Sequence, residues 1–84
     1  MSYQLVVEKG IGRDVRNIPH ANKIRIDKAL QALSGNPRPA GCTKLTAKEG
    51  YRIRVGNYRI LYTIDDQART IVVYRIKHRR EVYR

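Results

Sequence analysis

The sequence predicts a small α+β domain, in which an N-terminal strand and a helical hairpin pack on an antiparallel β-sheet. A chain of 84 residues fits one hydrophobic core rather than two, so residues 1–84 are expected to form a single domain. Apolar residues recur at helical spacing in the first half and at every second position in the second half. Gly56-Asn57 separates two alternating runs, which is typical of a tight β-hairpin.

The first half of the chain predicts one strand and two helical segments. Residues 3–7 form the strand, and residues 8–18 form a weak helix that contains two glycines and ends at Pro19. A clearer helix runs from His20 to Ser34, before a stop at Gly35. Its expected buried stripe is Ile26, Ala29, Leu30 and Leu33. Ile24 lies outside that stripe, where it can contact the earlier segment or a partner.

The second half predicts three or four antiparallel strands. Residues 43–46 are expected to pair briefly, and residues 51–55 and 58–64 form the hairpin. Glycine at the first central position of the Gly56-Asn57 loop favours a type II′ turn. Residues 70–76, TIVVYRI, are the run richest in strand-forming residues.

Arginine occupies the polar positions on both arms of the hairpin. Arg52 and Arg54 precede the turn and Arg59 follows it, and a two-residue turn sets Arg54 opposite Arg59. Like charges directly across a sheet destabilise it, so this arrangement favours a functional surface such as a phosphate site over a solvated strand face. The structural alternative for Arg59 is packing of its aliphatic stem over the sheet.

Net charge points to a polyanionic partner. Eighteen Lys and Arg against seven Asp and Glu give +11, which suits nucleic acid or an acidic protein segment. We expect no membrane association, because no apolar run approaches the roughly 20 residues of a spanning helix. The first residues do not resemble a signal peptide. A single cysteine, Cys42, is consistent with the reducing cytoplasm. It does not suffice for a zinc site, and we expect no other metal and no cofactor.

The pattern YRIRVGNYRILY, followed by a β-rich strand and then HRREVY, resembles the RelE/ParE superfamily of bacterial toxins across essentially the whole chain. Membership of the RelE branch implies a ribosome-dependent endoribonuclease that cuts mRNA in the A site. Membership of the ParE branch implies a DNA gyrase inhibitor that lacks the nuclease residues. The strand arginines and the terminal tyrosine favour the first branch. The alternatives are a ParE-like inhibitor and a nucleic-acid-binding module without chemistry.

The resemblance also implies which residues act. Arg52 and Arg54 correspond to paired cations before the hairpin, Arg59 to the arginine of the returning strand, and Tyr83 to a terminal tyrosine. The tail supplies one further cation, from Lys77, His78 or Arg79. The paired cations of the best-known members are lysines, and their replacement by arginine retains phosphate binding but leaves proton transfer open.

Cleavage of RNA without metal uses the 2′-hydroxyl as nucleophile, and needs a base, cations over the phosphorane and an acid. Arginine keeps its proton, so Arg59 is the expected clamp, with Arg54 beside it. Tyr83 is a base in phenolate form, a stacking platform or an anchor for the tail. His78 is an acid or base, or a solvated tail residue. The remaining tail cations provide the electrostatic path to RNA: Lys77, Arg79, Arg80 and Arg84.

The implied partners are the ribosome with its mRNA and a cognate antitoxin. The antitoxin is expected to cover the toxin with an acidic, amphipathic segment that the charge of this chain attracts. The toxin–antitoxin complex is expected to bind operator DNA through the antitoxin.

Overall fold

Two helices and five strands follow one another in the computed structural model, which describes residues 2–45 and 50–78. Their order confirms the predicted α+β fold, and the hairpin strands begin at the predicted residues. The elements are β1 (Gln4–Val7), α1 (Ile11–Val15), α2 (His20–Gly35), β2 (Thr43–Lys44), β3 (Tyr51–Val55), β4 (Tyr58–Asp65) and β5 (Thr70–His78). The brief pairing expected for residues 43–46 is present as β2, and residue 46 lies outside the described residues.

The five strands form one sheet in the order β1-β5-β4-β3-β2. Strands β2 to β5 are antiparallel neighbours, as predicted. In one respect the sheet differs from the prediction: β1 belongs to it and runs parallel to β5, with Val7 opposite Val73. The β4–β5 hairpin leaves one edge of β5 unpaired, and β1 occupies that edge and satisfies its backbone groups.

The core lies between α2 and one face of the sheet. Three residues of the predicted α2 stripe are buried, Ile26, Leu30 and Leu33, and Ala29 packs against them. The sheet contributes its central residues: Ile60, Tyr62, Ile71 and Val73, which are fully buried. Ile24, off the stripe, is 44% exposed. Neither helix of the described chain is long and apolar enough to cross a membrane.

The buried phenol of Tyr62 joins the sheet to the segment after α2. Its hydroxyl donates a hydrogen bond of 2.8 Å to the carbonyl oxygen of Pro37. Burial raises the pKa of Tyr62 well above its ordinary value, because the phenolate would lose its hydration. The phenol therefore stays protonated and keeps this donor available at physiological pH.

A small cluster at one end of the sheet joins three separate parts of the chain. Arg38, after α2, forms an ion pair of 2.9 Å with Asp66 in the β4–β5 turn. Tyr3, before β1, donates a hydrogen bond of 2.7 Å to the same carboxylate. The hydrogen bonds from Arg38, and next that from Tyr3, lower the pKa of Asp66. These contacts fix the ends of β1 and of the β4–β5 turn against each other.

Candidate functional site

A row of three cations crosses the sheet on the face opposite the core. Arg54 of β3 lies opposite Arg59 of β4, and Arg59 lies opposite Lys77 of β5. The predicted Arg54–Arg59 pairing is therefore confirmed. Neighbouring strands are about 5 Å apart, so these three side chains leave the backbone close together. Their mutual repulsion has to be offset by the rest of the fold or by a bound anion.

A second row lies one step along the strands. Arg52 of β3 is opposite Leu61 of β4, which is opposite Arg75 of β5. The Nε atom of Arg75 is 3.2 Å from the Oδ2 atom of Asp14, and that oxygen also accepts a hydrogen bond of 2.9 Å from the backbone N–H of Ile76. Asp14 therefore holds Arg75 in place from α1, where β1 no longer covers the edge of β5.

The two rows border an open cleft of about 530 Å³. It is lined by four cations and one carboxylate, so it favours an anionic ligand. The cations are Arg52, Arg59, Arg75 and Lys77, and the other lining residues are Glu8, Leu45, Leu61 and Tyr74. Arg54 is exposed on the same face, beside this lining.

Arg59 is the one charged residue that is buried in the described ranges, with 6% of its surface exposed. Its position on the central strand explains this burial, because Arg54 and Lys77 flank it on both sides. Removal of a guanidinium from water costs free energy. A fold that keeps this cation at the floor of a cationic cleft is suited to hold an anion there.

An irregularity in β5 adds two consecutive side chains to the cleft. The register between β4 and β5 shifts between Leu61 and Tyr62, so that Leu61 faces Arg75 and Tyr62 faces Val73. Tyr74 is the extra residue of this β-bulge. Tyr74 and Arg75 both line the cleft, although adjacent strand residues normally point to opposite faces.

His78 is not brought to the cleft. It follows Lys77 in β5 and lies on the helix-covered face, where its ring contacts Tyr58 edge-on with centroids 5.1 Å apart. There it borders a separate pocket with Arg13, Asp14 and Asn17. Of the predicted site residues in the described chain, Arg52, Arg59 and Lys77 therefore share the cleft, Arg54 adjoins it, and His78 does not.

Four further predicted site residues lie outside the described residues: Arg79, Arg80, Tyr83 and Arg84. Their roles stay predictions. Within residues 2–45 and 50–78, no three His, Cys, Asp or Glu side chains come together as metal ligands.

Three polar lining residues were not identified from the sequence. Glu8 follows Gln4 and Val6 at alternate positions of the first strand, so strand alternation would have placed it on the cleft face. Tyr74 and Arg75 give no such signal, because simple alternation assigns one of them to the core. The bulge that turns both to the cleft depends on pairing between strands.

A cleft of this kind can bind a phosphodiester and stabilise extra negative charge on it. Guanidinium groups present two parallel N–H donors to phosphate oxygens, and a lysine adds a compact charge. In a partly enclosed site these interactions are stronger than in open water. Arg59 has the central position for this role.

Comparison with known proteins agrees with this fold. The model of a family described as the ParE toxin of type II toxin-antitoxin systems, parDE, matches residues 9–83. The putative toxin RelE1 of Methanocaldococcus jannaschii is 24% identical over 88 positions, which cover 100% of this chain and 98% of that protein.

Solved structures are similar over nearly the whole chain. A chain of the archaeal RelE–RelB complex from Pyrococcus horikoshii has a TM-score of 0.84 and 25% identity, with 94% of this chain and 97% of that chain covered. The toxin–antitoxin complex RelBE2 from Mycobacterium tuberculosis gives a TM-score of 0.79 and 27% identity, with coverages of 93% and 99%.

Proposed function

This chain belongs to the RelE/ParE superfamily of toxins from type II toxin-antitoxin systems, and on that premise we propose that it is an mRNA endoribonuclease that acts in the ribosomal A site. The observation that carries the proposal is the buried Arg59 at the floor of a cleft shared with Arg52 and Lys77. Cations from three adjacent strands then surround one phosphodiester.

The proposed reaction is an attack by the 2′-hydroxyl of RNA on the adjacent phosphorus. A base takes the 2′-hydroxyl proton, the 2′-oxygen bonds to phosphorus, and the bond from phosphorus to the 5′-oxygen breaks. The leaving oxygen takes a proton from an acid. The products are a 2′,3′-cyclic phosphate and a 5′-hydroxyl, and the proposal involves no metal ion.

Each cleft residue has a role in this proposal. Arg59 clamps the phosphorane, and Arg52 and Arg54 hold the neighbouring charge. Lys77 lies opposite Arg59, and we propose that its ammonium group donates the proton to the leaving oxygen. Tyr83 remains the proposed base. His78 is given no step in this proposal, because its ring lies on the other face.

The tail cations Arg79, Arg80 and Arg84 are proposed to guide the chain to RNA. They extend the positive charge beyond the cleft. The cytoplasm, where mRNA is translated, is the proposed site of action.

The alternative is a DNA gyrase inhibitor, which the description of the matching family as a ParE toxin favours. Two observations weigh against it. The relative that matches along the whole chain is a RelE-type toxin, and the two solved structures of highest similarity given above are RelE-type complexes. The cleft also gathers the cations that phosphodiester cleavage requires.

The partner of a toxin of this class is an antitoxin, and complexes with RelB-type antitoxins occur among the similar structures. We propose that the antitoxin of this chain carries an acidic, amphipathic segment, because a net charge of +11 attracts one. Ribosome and mRNA are the other proposed partners. Operator DNA would be bound by the antitoxin within the complex.

Mapping of mRNA ends after brief induction tests the proposal. We expect new 5′ ends within translated codons for the wild type and none above background for R59A. The matched control is R16A, which removes an exposed arginine after α1, away from the cleft, and should cut like the wild type. Intact mRNA together with DNA breaks would overturn the nuclease proposal in favour of gyrase inhibition.

A further inference from the structure

The β-bulge of β5 directs the side chain of Tyr74 to the cleft, which regular strand alternation would not do. Leu61 and Tyr62 of β4 face Arg75 and Val73, so Tyr74 has no residue opposite it in that pairing. Its side chain nevertheless lines the cleft next to that of Arg75. β-Bulges recur beside functional sites because they redirect a side chain. Here the redirected side chain is the one aromatic ring among the cleft-lining residues of the described chain.

The hydroxyl end of the Tyr74 ring lies next to Gly50, in the segment that leads into β3. A Cβ atom added to Gly50 would come within 3.4 Å of the Tyr74 hydroxyl oxygen and 3.0 Å of the Tyr62 carbonyl oxygen. Gly50 also has a φ of +136°, a conformation that favours glycine. The bulge therefore directs the ring to the cleft, and Gly50 leaves room for the hydroxyl at its tip. The ring forms part of the cleft wall.

Tyr74 lies beside the second row of the sheet, next to the row that contains the buried Arg59. Arg59 is opposite Lys77, and Leu61, two residues further along β4, is opposite Arg75. A nucleic acid whose phosphate is bound at Arg59 would extend its neighbouring nucleotide over Leu61 and Tyr74. Aromatic rings beside cations are the standard platform for unpaired bases, because every base presents a π-face.

We propose that Tyr74 stacks on the nucleobase next to the phosphate held by Arg59, and so acts as a positioning residue that helps to select where RNA is bound. The inference rests on the proposed function for its substrate, RNA. It differs from a role in proton transfer, because stacking needs the ring and not the hydroxyl. Phenylalanine at position 74 should therefore retain RNA binding, whereas leucine should weaken it.

Binding of a short RNA with 2′-deoxyribose at the cut position tests this proposal without cleavage, since the attacking hydroxyl is absent. Fluorescence anisotropy gives the dissociation constant for wild type, Y74F and Y74L. We expect Y74F to bind within about 2-fold of the wild type and Y74L to bind about 5- to 150-fold more weakly, the range for loss of one stacked base. Y58L is the matched control, because Tyr58 contacts His78 on the other face, and it should bind normally.

Removal of the base itself distinguishes stacking from a structural effect. The same RNA is made with one abasic nucleotide at each position in turn. At the stacked position the abasic change should weaken binding by the wild type and leave binding by Y74L nearly unchanged. Equal abasic penalties for both proteins at every position would overturn the assignment, as would wild-type affinity of Y74L or failure of the wild type to bind the RNA.

The binding experiment and the mapping of mRNA ends can succeed or fail independently. If the coupling between Tyr74 and one base is found but mRNA is not cut in cells, Tyr74 is a base platform on an RNA-binding protein and the nuclease proposal fails. If mRNA is cut and no coupling is found, the nuclease proposal stands and the platform is wrong. Urea unfolding of Y74F and Y74L confirms that both variants are folded under the binding conditions.

Discussion

Two properties of Arg59 are unfavourable for the stability of the sheet. It is buried, and it lies between two other cations on adjacent strands. A buried charge costs solvation free energy, and like charges opposite each other in a sheet repel. Residues that lower stability in this way are typical of functional sites, where the cost is tolerated for binding or catalysis.

Replacement of Arg59 by methionine, R59M, should therefore separate stability from activity. Methionine keeps the length of the aliphatic stem and removes the charge. We expect growth arrest to be lost, while the free energy of unfolding in urea stays equal to that of the wild type or rises by about 1 kcal/mol. A fall of more than about 1 kcal/mol would show that the guanidinium holds the sheet together.

At the scale of single residues, sequence patterns predicted part of the geometry of the cleft. Alternation put Arg52 and Arg59 on one face, and the two-residue turn set Arg54 opposite Arg59. The resemblance leaves three candidates for the further tail cation, Lys77, His78 and Arg79, of which Arg79 lies outside the described residues. Adjacent strand residues point to opposite faces, so the choice between Lys77 and His78 decides on which face of the sheet the side chain lies. Lys77 borders the cleft and His78 lies behind it.

At the scale of elements, the predictable parts are those whose signals are local. The helix from His20 to Gly35 and the β3–β4 hairpin follow from periodicity, glycine and proline within short windows. Gly56 has a φ of +60°, as the first central residue of a type II′ turn requires. The parallel pairing of β1 with β5 joins residues more than 60 positions apart, and neither it nor the bulge at Tyr74 has a local signature.

The cluster of Tyr3, Arg38 and Asp66 joins elements that are far apart in the sequence. Because Arg38 first and Tyr3 second lower the pKa of Asp66, the folded state holds its carboxylate ionised more strongly than the unfolded state does. This contribution to stability is present above the unfolded pKa, near 3.8. It is lost as the pH falls through the lower, folded value.

D66N should consequently lose stability at neutral pH and little at strongly acidic pH. We expect the difference in unfolding free energy between wild type and D66N to be clear at about pH 6 and smaller at about pH 2. Urea unfolding by circular dichroism at both pH values measures it. D27N, a charge change on the exposed surface of α2, is the control. A difference that is the same at both pH values would mean that the carboxylate charge is not what joins these elements.

At the scale of the whole molecule, charge is distributed so that one sheet face remains open and cationic. The helices cover the opposite face and supply the core. The net charge of +11 favours polyanionic partners, and the cleft brings several cations together on that face. A ribosome that presents mRNA, and an antitoxin that neutralises the toxin, are both polyanionic partners in this account.

The most direct test is the chemistry of the RNA ends produced on ribosomes programmed with a defined mRNA. We predict that the purified chain leaves a 2′,3′-cyclic phosphate and a 5′-hydroxyl, and that a single 2′-deoxyribose at the cut position abolishes cleavage. R59A should give neither product. Ends that carry a 3′-hydroxyl and a 5′-phosphate, or cleavage that persists at the deoxyribose, would contradict the account.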